Sequence, residues 1–150
     1  KAIVETTAGK VRGYVRNGIH TFKGIPYAVP PVGERRWRPP EPLPAWDGVR
    51  QATEYGAACV QPVAHTGGVY DAELGSMSED CLSLNLWTPA NAHGAPVFVW
   101  IHGGALAGGS SKEMLYDGAR MAGQGVIVVS IRPVRRGMPS SGLRSAVSIE

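Results

Sequence analysis

No apolar stretch in this sequence is long enough to cross a bilayer as a helix. The longest runs, VFVWI (97–101) and VIVVSI (126–131), reach five and six residues, whereas a membrane-spanning helix needs about 20. Charge of one sign is also scarce. Fifteen Lys and Arg against 12 Asp and Glu leave a net +3, and the basic residues are scattered, which argues against nucleic acid as a partner. Cysteine is limited to Cys59 and Cys81. Neither belongs to a C-x-x-C pair, and the nearest histidine, His65, has no companion at zinc-ligand spacing, so no metal site is expected. The 20 Gly and 12 Pro follow no repeat, which excludes collagen-like and low-complexity classes. No signal peptide is visible, and the chain opens at Lys1 rather than Met.

What is present suits one domain-sized unit: 150 residues, 43% of them hydrophobic, suffice for a real core. The segment between the two cysteines is polar and Gly-rich without helical or strand period. A disulfide closing it would stabilise by about 3 kcal/mol in the chain-entropy model. It is favoured here, with two free thiols as the alternative. It leans towards an oxidising compartment, secreted or periplasmic, with a cytoplasmic location the alternative.

Residues 2–16 read as two short strands around a turn at Ala8-Gly9. From Thr21 to Trp46 the sequence predicts an extended surface wrap. Seven prolines between Pro26 and Pro44 oppose a helix and a central strand, and Phe22, Tyr27, Trp37 and Trp46 would pin it. LSLNLWTP (82–89) alternates as a strand closed by Pro89. APVFVWIH (95–102) is continuously apolar, as for a strand buried on both faces. In residues 111–125, Met114, Leu115, Ala119 and Ala122 stand at roughly helical spacing, with Gly118 a weak point and Gly123 or Gly125 a stop. GVIVVSI (125–131) is a further buried strand. Strand, loop, helix and strand in this order describe a βαβ crossover in a parallel or mixed sheet. Residues 132–150 lose the apolar period, and no element is predicted there.

Val97 to Ser110, VFVWIHGGALAGGS, carries the chemistry. A strand that breaks into glycines suits three ligand classes. Glycines at 103, 104, 108 and 109 do not fit G-x-G-x-x-G. Gly104 to Gly109 has the gap of a phosphate loop, but Ser110 occupies the lysine position and Lys112 comes two residues late. The third class is an oxyanion hole, in which backbone N–H groups stabilise a tetrahedral oxyanion and small residues leave the approach open. HGGA after a buried strand matches the HGGG-type loop of esterases and lipases. An ordinary Gly-rich turn is the plain alternative.

From about Val4 to Ile131 the chain resembles the N-terminal quarter of the type-B carboxylesterases, the carboxylesterase/cholinesterase family. The resemblance rests on FKGIPYAVPPVGERRWRPPEPLPAWDGVR (22–50), SEDCLSLNLWTP (78–89) and PVFVWIHGGALAGGS (96–110), three matches in the family's order. It implies the α/β class and the N-terminal part of an α/β-hydrolase fold: the first strands of the central mixed sheet, the proline-rich wrap and the oxyanion loop. Carboxylic-ester hydrolysis through a serine acyl-enzyme, on a small-molecule ester and without metal or organic cofactor, is the implied activity. The resemblance makes Gly104 and Ala105 the oxyanion donors, with Gly103 giving the turn its freedom, and His102 a loop-shaping residue rather than a base. It pairs Cys59 with Cys81 and Arg36 with Glu79, and sets Leu106 against the acyl pocket. The segment between the cysteines contains no Trp, so the aromatic platform for a quaternary ammonium is missing, which argues against choline esters.

The nucleophilic half of such a site is absent from these residues. No G-x-S-x-G occurs; GMPSSG (137–142) has one residue too many before Ser140 and follows no predicted strand. His20, His65 and His93 fall in loops or termini and are not expected to act as bases. The 150 residues alone are therefore expected to show no triad hydrolysis. The family continues past the last strand with Asn-Tyr-Arg and glycine, whereas here Arg132-Pro133-Val134-Arg135-Arg136 follows. We therefore divide the chain into 1–131, part of the hydrolase domain, and 132–150, a divergent tail. A frameshift, a splice boundary or an incomplete reading would produce such a break, and a genuine tail is the alternative. A strand of VIVVSI or its neighbour would then form an uncovered apolar edge. The rival functions are a non-catalytic cholinesterase-like binding or adhesion domain and an inactive truncated product.

Overall fold

The computed structural model describes residues 2–63, 74–104 and 108–132. The strands are β1 (Ala2–Thr6), β2 (Gly9–Arg16), β3 (Ile19–Pro26), β4 (Val49–Gln51), β5 (Ala58–Cys59), β6 (Met77–Ser78), β7 (Ser83–Pro89), β8 (Val97–Ile101) and β9 (Ile127–Ile131). One helical turn, α1 (Ala119–Ala122), precedes β9. The main sheet runs β1-β2-β3-β7-β9-β8, with β4 paired to β2, and β5 and β6 form a separate two-stranded ribbon. It is mixed: β7 is antiparallel to β3 and β9, while β8 and β9 are parallel across the predicted crossover.

The alternation in β7 divides the core. Leu84 packs with Ile127, Val129 and Ile131, with Leu86 against that cluster. Trp87 packs with Ile19, Ala122 and Val128 on the other side. A third cluster joins Ala2, Val11, Phe22 and Ala52. Every residue of β9 is buried, as its continuous apolar run predicts.

Three expectations need correction. The wrap does not begin at Thr21, because Ile19–Pro26 is a strand inside the sheet, between β2 and β7. Residues 19–25 contain no proline, so their N–H groups are free to pair, and Phe22 is 1% exposed in the core. Pro26 stands last in that strand, where a missing donor is tolerated. Beyond it the chain to Trp46 doubles back on itself through a 3₁₀ turn at Gly33–Arg35 and a turn at Trp37 (φ +65°), so that Ala28 bridges Pro42. Trp46 does pin it, donating from Nε1 to the Lys10 carbonyl (3.1 Å), but Trp37 is 70% exposed and pins nothing.

The second correction concerns β8. Its run Val97–Ile101 is largely exposed rather than covered on both faces. β8 is the outermost strand and no strand among the described residues flanks its far side. The third is the helix. The expected run contracts to a 3₁₀ turn at Met114–Tyr116 and the single turn α1, with Met114 91% exposed and Ala122 fully buried.

Gly118 explains that contraction. It is the N-cap of α1 at φ −78°, a conformation open to any residue. However, a Cβ there would come 2.6 Å from Val128 Cγ1 and 2.8 Å from Trp87 Cε3. The chain can approach the sheet this closely only without a side chain, and Asp117 Oδ1 accepts from the Ala119 N–H (2.9 Å) to start the turn. Gly118→Ala should therefore destabilise the protein by about 1–3 kcal/mol through overpacking, despite the better helix propensity of Ala. Urea unfolding would show it as a lower midpoint at unchanged slope.

Candidate functional site

β8 delivers the chain at Ile101 to His102, Gly103 and Gly104, and the glycines lie at the surface. Gly104 sits at φ +122°, a conformation that L side chains rarely adopt, and a Cβ there would collide with the Gly108 carbonyl. The Gly108 N–H donates back to the Gly104 carbonyl (3.1 Å), so the loop closes on itself. By contrast, a Cβ at Gly103 would meet nothing within 4 Å: the backbone there is open to approach. His102 Nδ1 lies 2.8 Å from the Gly103 carbonyl. A carbonyl only accepts, so Nδ1 carries the proton, and the ring braces the loop. Ala105 and Leu106 lie outside the described residues.

The returning arm of the loop is held by residues with no sequence signal. Gln61, 8% exposed, takes the Gly109 N–H at Oε1 (2.6 Å) and donates from Nε2 to the carbonyls of Gly109 (3.0 Å) and Cys59 (3.1 Å). Ser110 and Ser111 are buried beneath it. Asn85 donates from Nδ2 to Ser111 Oγ (3.2 Å) and Ser130 Oγ (3.0 Å), and its Oδ1 accepts from the Gly24 N–H (3.0 Å), where β3 bulges. Arg132, 2% exposed, donates from Nε to Ser111 Oγ (3.2 Å), and Tyr27 Oη donates to its carbonyl (2.7 Å). Burial pushes the Arg132 guanidinium down to about 10 and the Tyr27 phenol up to about 12, so both keep their protons at neutral pH.

Cys59 and Cys81 form a disulfide with Cα atoms 5.1 Å apart, beside the β5–β6 ribbon that pairs Ala58 with Met77 and Cys59 with Ser78. Arg36 Nε lies 2.6 Å from Glu79 Oε1, joining the wrap to this segment, with both side chains about half exposed (51% and 41%). His20, expected in a loop or terminus, lies instead within β3, paired with Thr88 of β7, because the proline-free run 19–25 joins the sheet; His93 is exposed in a loop as expected. His65 and Ser140 lie outside the described residues. No group of three His, Cys, Asp or Glu among the described residues could hold a metal ion, and none of their helices is long and apolar enough to cross a membrane.

With this geometry, known proteins are informative. The model of the family described as "Carboxylesterase family" matches residues 1–132. The chain is 48% identical over 128 residues to para-nitrobenzyl esterase of Bacillus subtilis (strain 168), aligning 85% of this chain with 26% of that protein. It is 44% identical over 131 residues to phenmedipham hydrolase of Pseudarthrobacter oxydans, covering 85% of this chain and 27% of that one. A solved PNB esterase, an α/β-hydrolase, superposes with a TM-score of 0.82 at 47% identity, covering 89% of this chain and 28% of that one. The chain thus spans about a quarter of the length of the curated relatives it matches.

The two tethers of the segment differ in weight. Replacing both cysteines by serine should cost about 3 kcal/mol of stability by freeing the unfolded chain. Arg36→Ala should cost less than about 1 kcal/mol, because a half-exposed ion pair is screened by water. Paired urea melts of the two variants check the difference.

Proposed function

The chain belongs to the carboxylesterase family, and on that premise we propose that the protein hydrolyses small-molecule carboxylic esters through a serine acyl-enzyme. The supporting observation is the exposed, side-chain-free backbone at Gly103 and Gly104, directly after β8. In this reading the backbone N–H groups of Gly104 and Ala105 bind the oxyanion; the turn expected at Gly103 is made instead at Gly104, whose φ of +122° needs a glycine, and Gly103 leaves the approach open. The histidine base takes the serine proton as the serine oxygen attacks the ester carbonyl, the carbonyl π electrons move to its oxygen, and the two donors meet that charge. Collapse of the intermediate breaks the C–O bond and the histidine returns the proton to the departing alcohol; water, deprotonated by the same base, then attacks the acyl-serine, and the proton passes to the serine oxygen as the acid leaves. Leu106 faces the acyl group, and the lack of Trp between the cysteines disfavours choline esters.

Serine, histidine base and carboxylate come from sequence beyond these 150 residues, which contain no G-x-S-x-G. We assign 1–131 to the hydrolase domain and 132–150 to a divergent tail. The family match ending at residue 132 supports that division. The exposed β8 edge, with Phe98 41% and Ile101 51% exposed, fits a place where the remaining sheet attaches, since a long apolar edge left open invites aggregation.

The test is p-nitrophenyl acetate hydrolysis by the product of the complete reading frame. Ala105→Pro removes one N–H donor and should lower kcat about 10²–10³-fold, the usual effect of losing an oxyanion donor. A full-length protein that folds but leaves the ester intact would instead support a binding or adhesion domain.

A further inference from the structure

We infer that Gln61 is a positioning residue that sets the oxyanion loop, by holding Gly109 through both its backbone N–H and its carbonyl. The inference rests on the esterase reading above. Gly104 at φ +122° and Gly109 at φ +104° have no side chains to fix the loop at those two positions, and glycine loses more freedom on ordering than any other residue. Catalysis by N–H groups requires them to be fixed before charge develops. The His102 contact and the Gly108–Gly104 bond hold the start of the loop, and Gly109 takes its order from outside it.

Gln61 supplies it. Its amide offers one acceptor and one donor edge, matching the N–H and carbonyl of one residue, Gly109 (2.6 and 3.0 Å). The second Nε2 proton goes to the Cys59 carbonyl (3.1 Å), and Cys59 is tied by its disulfide to Cys81. The clamp is thus anchored to a cross-linked backbone. A second, independent observation agrees. A Cβ on Gly108 would lie 2.9 Å from Gln61 Oε1, so the glycine next to Gly109 leaves room for this amide. Among the described residues, Gly108 connects to the oxyanion segment through its N–H, donated to the Gly104 carbonyl. Glutamate at position 61 would keep the acceptor and lose both donated bonds. A methionine would keep neither.

Two variants of the complete protein test this, with p-nitrophenyl acetate kinetics and hydrogen exchange of the Gly109 amide as readouts. Gln61→Met should lower kcat about 10–100-fold, the scale of a misplaced catalytic geometry, with KM changed less than about 3-fold. Exchange at Gly109 should quicken about 10-fold or more. Gln61→Glu should be impaired at neutral pH, and its kcat relative to the parent should rise as pH falls, because a protonated carboxyl regains one donor beside its acceptor. If the parent hydrolyses the ester and Gln61→Met stays within about 2-fold in kcat, the inference is overturned. Should Gln61→Met fail to fold, the Glu variant decides: a flat ratio across pH overturns the inference, a rising one upholds it. If the parent itself is inactive, the esterase reading fails. Exchange at Gly109 then shows separately whether Gln61 holds the loop, and unchanged exchange removes that role as well.

Discussion

Ile131 is the hinge of the arrangement, because it pairs with Leu84 on one side of β9 and with Ile101 on the other. Antiparallel pairing to β7 and parallel pairing to β8 bring three chain ends to one edge of the sheet: the start of β7, the end of β8 and the end of β9. The glycine loop leaves from that edge, and Asn85 and Arg132 lie directly beneath it. Had β8 paired in the opposite sense, Gly103 and Gly104 would emerge at the other end, away from the buried serines. The completely buried β9 is what makes this register unforgiving, since a one-residue slip would turn its side chains to the opposite faces.

Beneath the loop, polar groups are buried only where they find partners. Asn85 uses its carbonyl oxygen and both amide protons, which is the condition under which burying an amide is tolerable. Its bond to the Gly24 N–H answers a donor that the β3 bulge takes out of the ladder. Arg132 is held more sparsely: Ser111 and Ser110 accept from it, while Nη1 has no partner among the described residues. The depressed pKa of that guanidinium is the electrostatic record of its removal from water.

Much of the framework was legible because its signals are local. Alternation gave away β7 and continuous apolar runs gave away β8 and β9, while the turn expected at Ala8-Gly9 lies one residue earlier, at Thr7-Ala8, with Gly9 already paired in β2. β3 was hidden by its neighbourhood, as the prolines that follow it colour the whole stretch although only Pro26 belongs to the strand. Gln61, Ser110 and Ser111 carried no signal. Polar residues in loops read as solvated surface, and nothing nearby marks them as buried.

By itself the sequence determined roughly where β7, β8 and β9 run and that a glycine loop follows β8. These are properties of single residues and short periods: glycine permits positive φ, and a run of Val, Ile and Phe demands cover. Only the tertiary structure decided that β8 lies at one end of the sheet among the described strands and that an amide grips Gly109 from 48 positions away. Those outcomes depend on which distant partners meet in space, and hydrogen-bond geometry between them has no counterpart in local pattern.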